Sequence, residues 1–447
     1  MAKVFPFRAF RYNPAHAPFE EVLTQPYDKI SAAMQDKYYA ANAHNLITVE
    51  KGRVYPSDGP GNNVYTRAAA AIPEWIRSGI VVQDPAVSFY GYTQEYTVPG
   101  ANERHTRHGF IGAGQLEEYS AGVIYRHEHT LSGPKADRLE LLRHTRMSTG
   151  QLFLIYSDAQ RRVDALLNEA EKAAAPATEM TDENGVVHRL WVISDAERVK
   201  AIQEAMADQK LVIADGHHRY ETALNYRNER RTLTGKMIAD APYERAMMTF
   251  INTQGAGLTI LPTHRVVSKL REFNWSELRR HLEPWFTAES IEFGDGSGKD
   301  RARGEFVRKL SAARAKRAIG AYPADKEKRA FYVLTLRDGA DLSRLLHNVS
   351  PLQRELDVVL LHDGILEPGL GITPQAVKAE ANLSYEREAA AALHAVDSGA
   401  AQIAFLLNSC DVEEVVKIAT AGEVMPQKST DFYPKLMSGI AMYSVDP

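Results

Sequence analysis

The sequence predicts a mixed α+β fold, with a central domain and further α/β segments before and after it. Runs rich in β-branched and aromatic residues alternate with runs of helical periodicity along most of the chain. The 447 residues are enough for about two or three domains. Hydrophobic residues make up 44% of the chain and charged residues 25%, which is typical of globular rather than disordered proteins.

The first region, residues 1–120, combines helices with a β-rich segment. Helices are expected at 31–43 and 63–78, and Gly79 follows the second helix where a left-handed residue commonly ends one. Strands are expected at 87–96 and 105–116, with a Pro-Gly-Ala-Asn turn between them.

The second region, residues 121–255, alternates strands with helices. Helices are expected at 135–147 and 196–207 and after Gly216. Strands are expected at 151–158, 187–193, 210–215 and 245–252. This alternation is the strongest local indication of an α/β or α+β core.

The third region, residues 256–447, begins with a change in composition. A glycine-rich loop at 294–298 precedes a charged, solvated helix, and another helix is expected at 385–396. A strand is expected at 402–407 and a last helix at 412–420. The third region is therefore expected to be an α/β segment.

Charge and cysteine content exclude several classes of protein. Lys plus Arg total 53 and Asp plus Glu total 57, so no basic excess favours nucleic acid or an anionic membrane. The single cysteine, Cys410, permits no intrachain disulfide and fits a reducing compartment. The start of the chain lacks a secretory signal, and its apolar runs are too short to span a bilayer. We therefore expect a cytoplasmic protein.

Common nucleotide and metal motifs are missing from the sequence. The stretch GSGK at 296–299 lacks two residues of a phosphate-binding P-loop. The stretch GAG at 112–114 lacks the third glycine of a dinucleotide fingerprint and is better explained by a bulge or tight packing within a strand. No HExxH motif occurs, and one cysteine cannot form a CxxC motif.

The densest polar cluster follows the strand expected at 210–215. Its five residues are Asp215, Gly216, His217, His218 and Arg219. Backbone N–H groups and the positive end of a helix dipole converge at such a strand-to-helix turn, which favours an anion. Asp215 offers a carboxylate for Mg²⁺ or for orienting a histidine. The alternative is a capped turn, in which Asp215 accepts backbone hydrogen bonds and one histidine packs in the interior.

This cluster resembles the DGHHR box of the ParB/sulfiredoxin-like superfamily, so the resemblance implies a domain of that type at 121–255. The chain as a whole resembles a prokaryotic family catalogued as domain of unknown function 1015. Six regions carry that resemblance: QPYDKIS (25–31), RHEHT with PKADRLELL (126–142), ADGHHRYETAL (214–224), LPTHRVV (261–267), LHDGIL (361–366) and MPQKSTDFYPKLMSGI (425–440).

A more distant resemblance is to the archaeal free-serine kinases, which phosphorylate serine with ADP. It rests on a His-Glu pair, the DGHHR box and a C-terminal GEV segment, here at 422–430. It implies that Glu128 is the base on a substrate hydroxyl, next to His127. It also implies that residues 215–219 hold phosphates and metal, and that Lys428, Ser429 and Thr430 complete the phosphate site. Asp431 stands where those kinases have a basic residue.

Four further residues are weaker candidates for the same site. Lys135 and Arg138 either approach the phosphates or belong to an ordinary helix start. His264 and Arg265 follow Pro262 in an expected loop, where they either line the cleft or hold the loop in place.

Two functions of different class follow. The first is a kinase-like phosphotransferase that moves a phosphoryl group from ADP or ATP, with Mg²⁺, to a small hydroxyl compound such as free L-serine. The alternative is a ParB-like switch that binds CTP or another nucleotide without small-molecule kinase activity. Nucleotide and a small molecule are the expected partners, without nucleic acid or membrane. A sulfiredoxin-type repair activity is disfavoured because Cys410 lies almost two hundred residues after the DGHHR box.

Overall fold

The computed structural model describes residues 1–128, 132–294, 296–325 and 328–446, without the side chains of Ser132 and Pro134. The chain divides into two compact units. The first consists of Met1–Thr259 together with Phe432–Pro447, and the second of Ile260–Asp431. The first unit is therefore discontinuous in sequence, because its last segment follows the whole second unit along the chain.

A mixed, mostly antiparallel sheet forms the centre of the first unit. In spatial order its strands are Ile124–Tyr125, Leu211–Asp215, Leu152–Tyr156, Arg245–Asn252, Arg104–Gln115, Phe89–Thr97, Val187–Ile193 and Thr178–Thr181, and Val4–Phe5 also pairs with Arg104–Gln115. The Leu211–Asp215 strand is parallel to one neighbour and antiparallel to the other. Its register shifts between Ile213 and Asp215, so regular pairing ends where the polar cluster begins.

Helices and two small strand pairs complete the first unit. The helices are Phe19–Val22, Tyr27–Lys29, Ala32–Ala41, Ile47–Glu50, Val64–Arg77, Tyr119–Ala121, Ser132–Thr145, Arg162–Ala173, Ala196–Met206, His217–Thr234 and Pro242–Glu244. The pairs are Phe10–Tyr12 with Val81–Gln83 and Met147–Ser148 with Tyr443–Ser444. In the core, the Phe110 ring lies 5.4 Å from that of Phe89 and 4.9 Å from that of Phe250.

The second unit is built on an antiparallel sheet. In spatial order its strands are Phe286–Glu292, Ala330–Leu336, Ile319–Pro323, Ile403–Leu406, His264–Val267 and Leu383–Glu386. Its helices are Trp275–Leu282, Ser297–Ala312, Arg314–Lys316, Leu342–Leu345, Gln353–Glu355, Asp357–Leu361, His362–Leu366, Glu367–Leu370, Pro374–Lys378, Ala389–Asp397 and Val412–Thr420. The rings of Phe306 and Phe331 stack in its core at 4.9 Å. Two short strands, Thr259–Leu261 and Asp431–Tyr433, contain the points where the chain passes between the units.

The mixed α/β class expected from the sequence is confirmed. The expected strand at 187–193 is Val187–Ile193, and the expected helix at 63–78 is Val64–Arg77, followed by Gly79 at a φ of 75°. Tight packing explains the GAG stretch, because a Cβ on Gly114 would lie 2.3 Å from the sulfur of Met248. No helix in the described ranges is long and apolar enough to cross a membrane.

Two local expectations are wrong. The helix expected at 385–396 is confined to Ala389–Asp397, because Leu383–Glu386 forms a strand. His264 and Arg265 do not lie in a loop but begin the strand His264–Val267. The two strands pair with each other, and each is stabilised by a partner more than a hundred residues away in the sequence.

Candidate functional site

The Asp215 turn, residues 215–219, lies where the Leu211–Asp215 strand meets the His217–Thr234 helix. Gly216 has a φ of 93°, which a residue without a Cβ adopts readily. Asp215 Oδ1 accepts a hydrogen bond from the Gly216 N–H at 2.7 Å. The turn thus lies at the N-terminus of an 18-residue helix, whose positive dipole end favours a negative charge.

Cationic side chains surround the Asp215 carboxylate. Lys435 Nζ lies 3.0 Å from Oδ2, and Arg219 and Lys29 are close enough to act on the carboxylate electrostatically. Burial by itself would raise the pKa of Asp215. The charges of Lys435, Arg219 and Lys29 outweigh that effect and hold the pKa well below its ordinary value. Three cationic side chains thus act on one carboxylate at the turn.

The guanidinium of Arg219 lies back against the beginning of its own helix. A Cβ built on Gly216 would lie 3.1 Å from Arg219 Nη2 and 3.2 Å from Nε. Arg219 Nη1 donates to the carbonyl oxygen of Gln151. Arg219 therefore lies between the Gly216 backbone and the Gln151 carbonyl oxygen, in a position suited to contact an anion at the turn.

His127 and His217 form a buried pair next to the turn. Their ring centroids are 4.6 Å apart, and the His127 backbone N–H donates to His217 Nε2 at 3.5 Å. His127 Nδ1 lies 2.7 Å from the carbonyl oxygen of Ile213, so Nδ1 must carry the proton of that hydrogen bond. Burial lowers the pKa of His127 to about 4 and that of His217 well below its ordinary value. Both rings are therefore neutral at pH 7.

Glu128 follows His127 directly, so their Cα atoms are about 3.8 Å apart. Because the His127 backbone is bonded to His217, the backbone of Glu128 lies beside the Asp215 turn. The side chains of Glu128 and His218 are both half-buried. Residues 129–131 of the same segment lie outside the described residues.

Lys135 and Arg138 lie in the Ser132–Thr145 helix, and both have protein partners. Lys135 Nζ donates at 2.8 Å to Glu221, a residue of the His217–Thr234 helix. Arg138 donates to the carbonyl oxygen of Glu50 at 2.8 Å, and its guanidinium lies 4.3 Å from the ring centroid of Tyr27. These contacts fix the helix against its surroundings, and a role for either residue at the phosphates stays a prediction of the sequence.

Sequence reasoning missed Lys435 and Lys29, although both lie in segments that carry the family resemblance. The position of Lys435 is set by buried side chains: Gln94 Nε2 donates to its carbonyl oxygen at 2.7 Å, and Arg107 donates to the carbonyl oxygen of Pro434 at 2.6 Å. The Lys435–Asp215 contact joins residues 220 apart in sequence. In the sequence, only their position within those segments indicated that the two lysines could belong to the site.

The other sequence candidates lie in the second unit. Lys428 has a φ of 58°, and the Ser429 hydroxyl donates to the carbonyl oxygen of Pro426. Asp431, the residue that precedes the return to the first unit, forms an ion pair with Arg387 at 2.7 Å. Thr430 lies between Ser429 and Asp431 in the sequence.

His264 and Arg265 are both buried. His264 Nδ1 accepts a hydrogen bond from the Leu407 N–H at 3.3 Å, and burial lowers the pKa of His264 to about 4. Arg265 Nη2 donates to the carbonyl oxygen of Lys428 at 3.1 Å. These contacts hold the segment at 427–428, and a role for Arg265 at the phosphates stays a prediction of the sequence.

The Asp215 carboxylate does not fit an Mg²⁺ site held by the protein. Its two oxygens already accept hydrogen bonds from Gly216 and Lys435, and the surrounding cations repel a further cation. Within the described ranges, no group of three or more His, Cys, Asp or Glu side chains is arranged to hold a metal ion. The association of Mg²⁺ with a nucleotide here stays a prediction of the sequence, and no step below depends on it.

Comparison with known proteins places the sequence within one family model. That model, described as a protein of unknown function, DUF1015, matches residues 4–359. Among curated proteins, none matches the sequence.

Several solved structures share distant similarity. A conserved hypothetical protein from Pyrococcus furiosus is 14% identical, with a TM-score of 0.31 over 69% of this chain and 87% of its own. A free serine kinase in complex with AMP is 14% identical, with a TM-score of 0.33 over 72% of this chain and 88% of its own. A C-terminally truncated SbnI from Staphylococcus aureus is 11% identical, with a TM-score of 0.32 over 73% of this chain and 85% of its own. At these scores the similarities assign neither a substrate nor a site to this chain.

Proposed function

The chain belongs to the DUF1015 family, and for this member we propose a phosphotransferase that uses the Asp215 turn to hold the phosphates of ADP or ATP. The acceptor we propose is a small hydroxyl compound, such as free L-serine. The single observation that carries the proposal is that the positive charges of Lys435, Arg219 and Lys29 all act on one carboxylate at a helix N-terminus.

In the proposed reaction the acceptor hydroxyl oxygen forms a bond to the terminal phosphorus of the nucleotide. The bond from that phosphorus to its bridging oxygen breaks, and AMP or ADP leaves with the bonding electrons. Glu128 accepts the hydroxyl proton, and its position next to His127, whose backbone N–H donates to His217 of the turn, supports this role. His127 acts as a positioning residue, because its ring is buried and its Nδ1 is bonded to Ile213.

The Asp215 turn supplies positive charge where the transferred phosphoryl group is most negative. The N–H groups of the first helical turn and the Arg219 guanidinium are the donors we assign to the phosphates. Asp215 pairs with Lys435 and is not itself a phosphate ligand. Lys428, Ser429 and Thr430 lie in the second unit, and their role in holding phosphate remains a prediction of the sequence.

Turnover of labelled ADP and ATP by the purified full-length chain, with a panel of amino acids that includes L-serine, tests the proposal. We expect a labelled phosphorylated acceptor from the wild type. The Glu128→Gln variant should lose about 10²–10⁴-fold in kcat, the usual contribution of a general base. Glu197→Gln, which changes an exposed carboxylate on the Ala196–Met206 helix, is the matched control and should leave kcat unchanged.

The absence of any turnover by the wild type, or equal kcat in Glu128→Gln and wild type, contradicts the phosphotransferase proposal. Tight binding of CTP or another nucleotide without turnover would instead support the ParB-like switch. The two functions therefore separate in one set of measurements.

A further inference from the structure

A cavity of about 430 Å³ lies wholly within the second unit. Small-molecule sites commonly have volumes of about 300–1,000 Å³, so the cavity is large enough for a small metabolite. Arg265, Arg314 and Arg317 line it, together with Cys410 and four carboxylates, those of Glu355, Asp357, Asp411 and Glu414. Ser429, which the sequence predicts to hold phosphate, also lines the cavity, but the transfer step proposed at the Asp215 turn assigns no ligand to it.

Arg265 is the unusual member of this lining, because its guanidinium is buried without a carboxylate partner. Its side chain bonds only neutral acceptors: His362 Nε2 at 3.2 Å and the carbonyl oxygens of Thr263, Gln427 and Lys428. His362 is neutral, since burial and the charge of Arg265 lower its pKa to about 3. Among the described residues of this unit, no carboxylate lies within ion-pair distance of Arg265.

The positive charge on Arg265 persists at neutral pH. Burial lowers the pKa of its guanidinium, but only to about 10. A buried charge without a counter-ion is unfavourable, and the hydrogen bonds to carbonyl groups and the Tyr385 ring, 5.3 Å from the guanidinium carbon, offset only part of that cost. An anionic group in the adjacent cavity would offset the rest.

The other two arginines are already balanced within the cavity wall. Arg314 pairs with Asp411 at 2.6 Å and Arg317 with Asp357 at 3.3 Å. A guanidinium has five N–H donors, and each of these arginines makes two described hydrogen bonds, so each retains donors for a ligand. Arg265 is therefore the arginine of the wall without a carboxylate partner among the described residues, and donors remain at two further points.

We propose that this cavity binds a small organic anion, with a carboxylate or phosphate group facing Arg265. Arg314 and Arg317 supply further hydrogen bonds to the ligand. The inference does not depend on phosphoryl transfer. If Arg265 served only to hold the carbonyl groups of Gln427 and Lys428, the cavity would not bind anions.

Cys410 provides a direct measure of occupancy, because it lines the cavity and is the only cysteine in the sequence. Burial raises the pKa of its thiol to about 12, so modification by a small methanethiosulfonate should be slow and easily timed by intact mass. The probes are inorganic phosphate and succinate, with sodium chloride at matched ionic strength as the salt control.

We expect phosphate, succinate or both to slow the modification of Cys410 in the full-length wild type. The rate should fall about tenfold once the anion is about tenfold above its Kd. Protection by phosphate alone identifies a phosphate ligand, and protection by succinate alone a carboxylate ligand. Glu128→Gln should be protected as the wild type is, which separates this inference from the phosphotransferase proposal.

Arg265→Gln should abolish the protection. Because that residue is buried, Arg314→Gln is the second variant; its side chain is 42% exposed, and it should weaken protection while the fold remains intact. Arg280→Gln, an exposed arginine of the Trp275–Leu282 helix, is the matched control. Wild-type modification rates that phosphate and succinate leave unchanged, or that chloride lowers equally, overturn the inference. So does equal protection of the wild type and Arg314→Gln.

Discussion

Lys435 determines how much positive charge the Asp215 turn presents. Its ammonium is 3.0 Å from the carboxylate, its side chain is only 11% exposed, and its carbonyl oxygen is held by Gln94. Asp215 in turn neutralises one of the cations around it. The two residues therefore have opposite effects on the affinity of the turn for an anion.

Replacement of these two residues should change anion binding in opposite directions. Lys435→Gln should weaken ADP binding by about 10–100-fold, since a hydrogen bond to a charged group contributes about 1.5–3 kcal/mol. Asp215→Asn should strengthen ADP binding, because it leaves the cations without their carboxylate. Isothermal titration calorimetry measures both, with Lys200→Gln, an exposed lysine paired with Glu204, as the control. Weaker binding in Asp215→Asn would contradict an anion site at this turn.

At the residue scale the sequence predicted the DGHHR cluster but not its electrostatic surroundings. The cluster is recognisable because Asp215, Gly216 and the histidines are consecutive and follow an apolar strand. Lys29 and Lys435 come from segments far away in the sequence, and neither has a local pattern that indicates a carboxylate partner. Periodicity and spacing in the sequence do not predict which charged side chains the tertiary structure brings together.

Two glycines bound the His217–Thr234 helix, and both adopt left-handed φ angles. Gly216 precedes it at 93° and Gly235 follows it at 68°. A Cβ on Gly216 would lie 3.1 Å from both Arg219 and Leu152, whereas nothing lies within 4 Å of a Cβ on Gly235. Both positions thus require a left-handed φ, but only at Gly216 would an added Cβ also be crowded by neighbouring side chains.

Alanine at each glycine separates these two effects. Both Gly216→Ala and Gly235→Ala should lower the free energy of unfolding by about 1–2 kcal/mol, the usual penalty for a left-handed alanine. Gly216→Ala should lose more stability and should also weaken ADP binding, because the new methyl group displaces Arg219. Urea unfolding and calorimetric binding measure the two effects. Equal losses in both variants, with ADP binding unchanged, would argue against a role for Arg219 at the turn.

At the element scale, local pattern was sufficient where a strand or helix is long. The Val187–Ile193 strand was predicted at its observed bounds because seven consecutive residues favour extended structure. The four-residue strand Leu383–Glu386 was predicted as part of a helix, since its conformation depends on pairing with His264–Val267. Short strands with distant partners are the elements that local propensity cannot identify.

Buried neutral histidines occur in both units, and they couple the stability of the whole molecule to pH. His127 and His217 lie in the first unit, and His264 and His362 in the second. Burial lowers the pKa of all four, to about 4 for His127 and His264 and to about 3 for His362. In the unfolded chain these groups regain an ordinary pKa of about 6.5.

The free energy of unfolding should therefore fall as the pH decreases from about 6.5 to about 4. In that pH window these histidines are protonated in the unfolded chain but neutral in the folded chain, so a lower pH favours unfolding. His127 alone should contribute on the order of 3 kcal/mol across the window. Urea titrations at pH 7 and pH 5 measure the effect. His127→Gln should flatten the profile, whereas His16→Gln, which changes an exposed residue, should not. A stability that rises towards pH 5 would contradict the burial of neutral histidines.

The discontinuity of the first unit has a consequence for the order of events during synthesis. Asp215 leaves the ribosome long before Lys435, and 220 residues separate them. At about 5–20 residues per second, the ribosome needs roughly 10–40 s to make that stretch. Throughout this interval the nascent chain carries the DGHHR box without its lysine partner. The turn thus reaches its mature charge only after the whole second unit has been synthesised, so a shorter nascent chain does not present a finished anion site.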